Sequence, residues 1–216
     1  MKNFLIKFAW LFIVVVLIRP AYANVSLVVL GDSLSAGYGM SAKESWVGIL
    51  QQRWQETHPS VTLINASISG DTTQGALNRL DGVLRSHAPD AVFIELGGND
   101  GLRGFTPTTI SSNLLQIINR LQDDSIKVAV SQIRIPPNYG RRYSDMFSAI
   151  FPEITEETDT LLIPFFMEQI ATQPELMQND GIHPNREAQE KIADIMEPHL
   201  LQLIGKLNNR TRERKN

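Results

Sequence analysis

Five short apolar runs, 25–30, 61–66, 91–96, 127–132 and 160–163, alternate along the chain with segments whose apolar residues recur at helical spacing. That alternation constrains the fold more than any other feature, because neighbouring parallel strands need a crossover between them and a helix supplies it. Trp46, Val47, Leu50 and Trp54 mark the first helix, over 44–57. Ala76, Leu77, Leu80 and Leu84 mark the second, capped at Asp71 or Thr72 and ending near His87. Pro107 or Thr108 opens a third, to about Gln122, and 141–157 reads as a fourth. The last, 185–207, carries Ala188, Ile192, Ile195, Met196, Leu200 and Leu203 on one face, and Pro198 predicts a break or kink within it. Segment 165–177, spanned by Pro164 and Pro174, reads equally as a short helix or a packed loop. The expectation is one α/β domain with helices on both faces of a five-stranded parallel sheet. A chain of 216 residues, 43% hydrophobic and without internal repeats, suits a single core.

The two ends stand apart from that domain, which spans 24–207. Lys2 and Lys7 precede an unbroken apolar run over 8–18, and Ala21-Tyr22-Ala23 has the small-x-small pattern of a cleavage site, so 1–23 reads as a secretory leader cut after Ala23. The run is too short for a spanning helix, which needs roughly 20 residues, and no stable membrane anchor is expected after cleavage. The expected location is periplasmic or secreted. Segment 208–216 has four basic residues and no apolar ones and reads as a frayed tail. Losing Lys2, Lys7 and Arg19 with the leader leaves 17 basic residues against 23 acidic, taking the net charge from -3 to -6. An acidic mature chain argues against a nucleic-acid partner. The absence of cysteine removes disulfides, thiol catalysis and thiolate metal sites.

The stretch Gly31-Asp32-Ser33-Leu34-Ser35-Ala36-Gly37-Tyr38-Gly39 follows the first run directly, so it emerges at the carboxyl edge of the sheet, where open α/β folds place their sites. Ser33 is the candidate nucleophile, and a serine needs a base, an orienting acid and oxyanion donors. Of four histidines, His58 and His87 sit at helix ends and His199 on the last helix, whereas His183 lies in Asp180-Gly181-Ile182-His183, within reach of the Asp180 carboxylate. A surface turn is the plainer account of that segment taken alone. Gly70 and Asn99 follow the second and third runs and are candidate oxyanion donors with the Ser33 N–H, or equally a turn residue and a loop cap.

In order, Gly31-Asp32-Ser33, Gly70, Gly97-Gly98-Asn99-Asp100 and Asp180-Gly181-Ile182-His183 resemble the four blocks of the GDSL, or SGNH, hydrolases. The stretches LGDSLSAGYGM, NASISGDTT, ELGGNDGLRGF, QIRIPPNYGRRY and NDGIHPN resemble more closely the bacterial thioesterase I group, also called protease I or lysophospholipase, and related arylesterases. The resemblance spans nearly the whole mature chain. It implies a flavodoxin-like three-layer α/β/α fold, a catalytic Ser33, Asp180 and His183, and an oxyanion hole from Ser33, Gly70 and Asn99. It also implies hydrolysis of acyl esters, with lysophospholipids, aryl and fatty acyl esters and acyl thioesters as substrates, and no cofactor.

Other readings fit less well. The residue two after Ser33 is Ser35, so the G-x-S-x-G elbow of α/β-hydrolases is absent. Gly37-Tyr38-Gly39-Met40-Ser41-Ala42 mimics a dinucleotide fingerprint but lies too far past the strand. No metal-binding histidine pair is present, and no metal is expected. Within the family the alternative is a carbohydrate O-deacetylase, which calls for a polar, open cleft. The expected rim of Tyr38, Met40, Phe105, Ile135, Pro136 and Ile182 is mostly apolar and suits an acyl chain. The segment 101–105, with a glycine on each side of Leu102 and Arg103, reads either as a lip that folds over substrate or as a rigid connection. A monomer is the expected state.

Overall fold

The computed structural model describes residues 24–213. The expected leader, 1–23, lies outside the described residues, as do the last three of the expected tail. Five parallel strands, β1 (Val25–Gly31), β2 (Val61–Asn65), β3 (Ala91–Glu95), β4 (Lys127–Ser131) and β5 (Leu161–Ile163), form one sheet in the order β2-β1-β3-β4-β5. The strand order reverses between β1 and β3, which is the switch point of a flavodoxin-like doubly wound sheet. Register there is Val29 with Phe93 and Gly31 with Glu95.

The central strands β1, β3 and β4 are buried on both faces, so their alternate residues feed two cores. Leu27, Val29, Ala91, Phe93 and Ala129 pack beneath α2 (Trp46–Thr57) and α7 (Arg186–Glu213). Val28, Leu30, Val92, Ile94, Val128 and Val130 pack beneath α3 (Thr73–His87), α5 (Pro107–Asp123) and α6 (Arg141–Glu157). Caps form where the residue types call for them: Thr72 accepts from Gly75 N and Thr106 from Thr109 N, with Pro107 at the first turn. Across the α2–α7 seam, Arg53 pairs with Glu190, Asp194 and Glu197, and Trp54 Nε1 donates to Glu197 Oε1 at 2.7 Å.

The fold departs from the sequence expectation in three places and settles a fourth that the sequence left open. Helix α7 passes through Pro198 unbroken, because Ile192, Met196, Leu200 and Leu203 form one buried seam across it that outweighs a single missing backbone bond. It also continues past Leu207 to Glu213, since 206–213 holds neither proline nor glycine to end it and each added residue propagates the helix. The ambiguous 165–177 resolves into two 3-10 turns, Phe166–Gln169 and Pro174–Leu176, with Phe166 and Met167 buried. Two short helices, α1 (Ser33–Ala36) and α4 (Gly98–Leu102), stand where the pattern showed only loops.

Gly48 on α2 shows how closely this framework packs. A Cβ there would lie 2.2 Å from Ala42 O and 2.8 Å from Lys43 Cα, both backbone atoms of the turn that leads into the helix. Gly48→Ala is expected to cost about 1–3 kcal/mol, the usual range for overpacking, in urea unfolding. An unchanged midpoint and slope would mean that the 42–44 turn moves aside without loss.

Candidate active site

All the candidate polar residues lie at the carboxyl edge of the sheet or on the loop facing it. At the end of β1, buried Asp32 caps α1, its carboxylate accepting from Leu34 N at 3.1 Å, and Ser33 is the first residue of that turn. Gly37, at φ +77°, closes the turn in the left-handed region that glycine adopts without strain. A Cβ on it would also meet the Ser45 Cβ at 2.7 Å.

The histidine arrives from a loop folded on itself. Asp180 Oδ1 accepts from Ile182 N at 2.9 Å and His183 N at 3.0 Å, an arrangement that Gly181 permits at φ +68°. This leaves Asp180 Oδ2 2.7 Å from His183 Nδ1, and His183 Nε2 2.9 Å from Ser33 Oγ. Burial pushes the Asp180 carboxyl up, but the His183 N–H and ring and the Ile182 N–H outweigh it and hold the group down at about 2. An ionised Asp180 accepts the Nδ1 proton, so the Nε2 lone pair faces the serine hydroxyl. The arrangement can deprotonate Ser33 as it attacks and return the proton to a leaving group.

Gln178, which sequence reasoning missed, fastens the histidine loop to the serine loop. Its Nε2 donates to Tyr38 O at 2.9 Å and Pro184 O at 3.0 Å, while its N–H donates to His183 O at 2.8 Å. The Tyr38 ring stacks on the His183 ring at a centroid separation of 4.2 Å.

Asn99 is the second residue of α4, and its Nδ2 donates to Asp32 Oδ2 at 3.0 Å, which leaves a second amide proton free. Gly98 makes room for this contact, since a Cβ there would lie 3.3 Å from Asp32 Oδ2. Gly70 sits at φ +80°, and its carbonyl accepts from Arg103 Nη2 at 3.0 Å, so the residue capping the end of α4 also fixes the Gly70 segment. Below them, buried Asp100 accepts from Thr73 N and Thr73 Oγ1, the latter at 2.6 Å, and Asn113 Nδ2 donates to Thr73 Oγ1 at 3.0 Å. This network ties α4 to α3 and α5. The signal for it in the sequence is Asp100, an acidic residue directly after Asn99.

The residues of the expected rim differ in exposure. Tyr38, Phe105 and Ile182 are exposed large apolar residues, Pro136 is exposed, and Met40 is half-buried. Ile135 is a correction: it is buried in the core beside Phe147, because the chain after β4 turns its side chain inward against α4. Gly101 serves this packing, as a Cβ there would meet Ile135 Cγ2 at 2.7 Å and Phe147 Cε2 at 2.8 Å. Gly101 is thus a close-approach glycine inside a helix, and the first half of the 101–105 segment is a packed connection. Tyr139 and Tyr143 also hold it, donating to Leu102 O at 2.9 Å and Phe105 O at 2.6 Å. A cleft of about 630 Å³ between α5 and α6, lined by Thr108, Leu115, Met146 and Glu153 among others, contains none of these residues. Among the described residues no group of His, Asp and Glu is arranged to hold a metal, and no helix is long and apolar enough to cross a membrane.

The sequence matches the model of the GDSL-like lipase/acylhydrolase family over residues 29–191. It is 48% identical over 209 residues to the thioesterase 1/protease 1/lysophospholipase L1 of Escherichia coli (strain K12), covering 95% of this chain and 99% of the relative. It is 51% identical over 179 residues to an arylesterase of Vibrio mimicus, covering 83% and 90%. Among solved structures, the psychrotrophic esterase EstA from Pseudoalteromonas sp., inhibited by monoethylphosphonate, superposes with a TM-score of 0.81 at 45% identity, covering 83% of this chain and 98% of that one.

Asp32 gives this edge a measurable signature. Burial pushes its carboxyl up to about 6, and Asp71 adds to the rise, while the Leu34 N–H, His183 and the Asn99 amide pull it back. The folded protein therefore holds this proton more tightly than the unfolded chain, and stability falls as pH rises from the ordinary value of 3.8 to about 6 and stays reduced above it. Asp32→Asn removes the ionisation and keeps a capping oxygen. Its thermal midpoint, taken relative to the parent, should be higher at pH about 7.5 than at pH about 4.5. A difference that is flat with pH, or that runs the other way, would show that Asp32 ionises without penalty.

Proposed function

Since the chain belongs to the GDSL-like lipase/acylhydrolase family and is an ester-hydrolysing enzyme, we propose that it is an exported serine esterase acting through an acyl-enzyme on Ser33. The observation that carries this reading is the unbroken hydrogen-bonded sequence from Asp180 through His183 to Ser33, at 2.7 and 2.9 Å.

Ser33 Oγ attacks the acyl carbon as His183 Nε2 takes its proton, and Asp180 holds the resulting imidazolium. Negative charge gathers on the former carbonyl oxygen, where the N–H of Ser33, the N–H of Gly70 and the free proton of Asn99 Nδ2 act as donors. The first N–H groups of a helix have no acceptor within it, which leaves that of Ser33 available. Collapse of the tetrahedral species breaks the ester bond, and His183 protonates the departing alcohol or thiol. Water then repeats the sequence and releases the acid.

The substrates are acyl esters: lysophospholipids, aryl esters, short-to-long-chain fatty acyl esters, and acyl thioesters. Exposed Tyr38, Phe105 and Ile182 support an acyl chain over the polar cleft of a sugar deacetylase. Export follows from the leader pattern ending at Ala23.

Ser33→Ala should abolish ester hydrolysis with the fold intact by circular dichroism. A fluorophosphonate should give one adduct by mass spectrometry, on Ser33. Full activity of Ser33→Ala, or an adduct on Ser35 or Ser69, would defeat the assignment.

The exposed and buried members of the rim should separate in a chain-length series. Each buried methylene contributes about 0.8 kcal/mol, so Phe105→Ala should lower kcat/KM on long-chain esters far more than on acetyl esters. Ile135→Ala, acting in the core, should lower the thermal midpoint and leave chain-length preference unchanged. A uniform loss for Phe105→Ala would show that it supports the fold and does not read the acyl chain.

A further inference from the structure

Glu95 takes no part in the steps above, yet it is fully buried at the end of β3. No cation pairs with it among the described residues; its neighbours belong to the turn that carries Ser33. Ser35 Oγ donates to Glu95 Oε2 at 2.8 Å, and the backbone N–H groups of Asp32 and Ser35 also point at the carboxyl. Gly31 is its register partner on β1, and a Cβ there would lie 3.0 Å from Glu95 Oε2 and 2.9 Å from Ser67 Oγ. The glycine ahead of Asp32-Ser33 thus leaves the space that this carboxyl fills.

We propose that Glu95 is a positioning residue of the reaction: its carboxyl braces the single helical turn that presents Ser33 and, through Asp32, the amide of Asn99. The proposal rests on the reading of Ser33 as the nucleophile. A four-residue helix does not hold itself, because nucleating one turn fixes several dihedrals for one internal hydrogen bond. External acceptors must fix it, and Glu95 is the acceptor beneath it. Asp32 turns its own N–H toward Glu95, while its carboxylate receives Leu34 N and Asn99 Nδ2. Displacing Asp32 therefore moves the nucleophile and the oxyanion donor together.

Charge decides the form in which Glu95 does this. Burial pushes its carboxyl well above the ordinary range, and the Asp32 charge pushes it further; His183 and Asp71 act on Asp32 in turn. Glu95 Oε1 is buried without a hydrogen-bond partner, which a neutral carboxyl tolerates far better than a carboxylate. Burial, the Asp32 charge and the unpartnered oxygen all favour the protonated form of Glu95 over its carboxylate.

The test compares Glu95→Gln, Glu95→Ala and Ser35→Ala, reading kcat, KM, thermal midpoint and the rate of fluorophosphonate labelling at Ser33. Glu95→Gln, neutral and close in shape, should keep most of kcat and the labelling rate. Glu95→Ala should lose between about tenfold and about 10²-fold in kcat with KM little changed, the loss expected when a reacting group is misplaced. Labelling, which reports presentation of the nucleophile, should slow in parallel. Ser35→Ala removes one atom from the same contact and should move both rates in the same direction by less, so the test survives if Glu95→Ala does not fold. Parent-like kcat and labelling in Ser35→Ala and in any folded Glu95→Ala, with only the midpoint lowered, would overturn the proposal. A glutamine variant as impaired as the alanine one would overturn it as well, since the brace would then need a charge. Parent protein that is not labelled at Ser33 would overturn the nucleophile assignment itself, whereas equal labelling across all variants overturns only the role of Glu95.

Discussion

Parallel pairing of β1 with β3, in register at Gly31 and Glu95, is the contact on which the rest of the edge depends. Both strands end at the point where the sheet order reverses, so the chain leaves them toward opposite faces and opens a crevice between the two turns. Ser33 stands on one turn and Asn99 on the other, and Asp32 joins them by accepting from the Asn99 amide. A slip of one residue in this pairing would send every side chain of the strand to the other core. Register is therefore held by the packing of both faces, well away from the chemistry.

Tight backbone approach, more than flexibility, explains the glycines at this edge. Gly31 admits Glu95 and Ser67, Gly98 admits the Asp32 carboxylate, and Gly101 admits Ile135 and Phe147. Gly37, Gly39, Gly70, Gly97, Gly104 and Gly181 also lie near the candidate residues, and each has a positive φ that a side chain would strain. The 101–105 segment, which the sequence left open between a lip and a rigid connection, is a packed helical turn as far as Leu102, while Gly104 has open space around it.

What was legible in the sequence follows from which forces act locally. Strands buried on both faces must be continuous apolar runs, and α3, α5 and α6 carry caps or clear periodicity, so the architecture could be read directly. Ser33 could be singled out because only Gly31 and Asp32 separate it from the end of an apolar run, and Asp180 and His183 because they sit beside Gly181 and Pro184 just before the last helix. Ile135 could not be placed correctly, because the irregular segment around Pro136 has no period from which a face can be inferred. Helix α1 is too short to show a period at all. Glu95 was passed over because one carboxylate at the end of an apolar run reads as a strand terminus, and only the neighbouring strand shows what it supports. Gln178 acts through contacts to the Tyr38 and Pro184 carbonyls, and the former lies on a distant loop that no local pattern reveals.

Holding two carboxyl groups beneath one serine turn is unfavourable for the fold taken alone. Burial raises both Asp32 and Glu95, and the Asp32 charge raises Glu95 further. A pair of apolar residues would pack there without that penalty, but it would leave the N–H groups of the turn and the Asn99 amide without acceptors. The upward shift on Glu95 eases the conflict: the more readily the inner carboxyl takes a proton, the less charge it sets against Asp32. The Asn99 amide meets the Asp32 carboxyl and keeps its remaining proton for the substrate. Asp180 has the opposite environment, its charge matched by donors from Ile182 and His183, and so stays ionised. The edge thus separates three carboxyl groups by surroundings: burial pushes up the two beneath and beside the turn, and hydrogen-bond donors hold down the one behind the histidine.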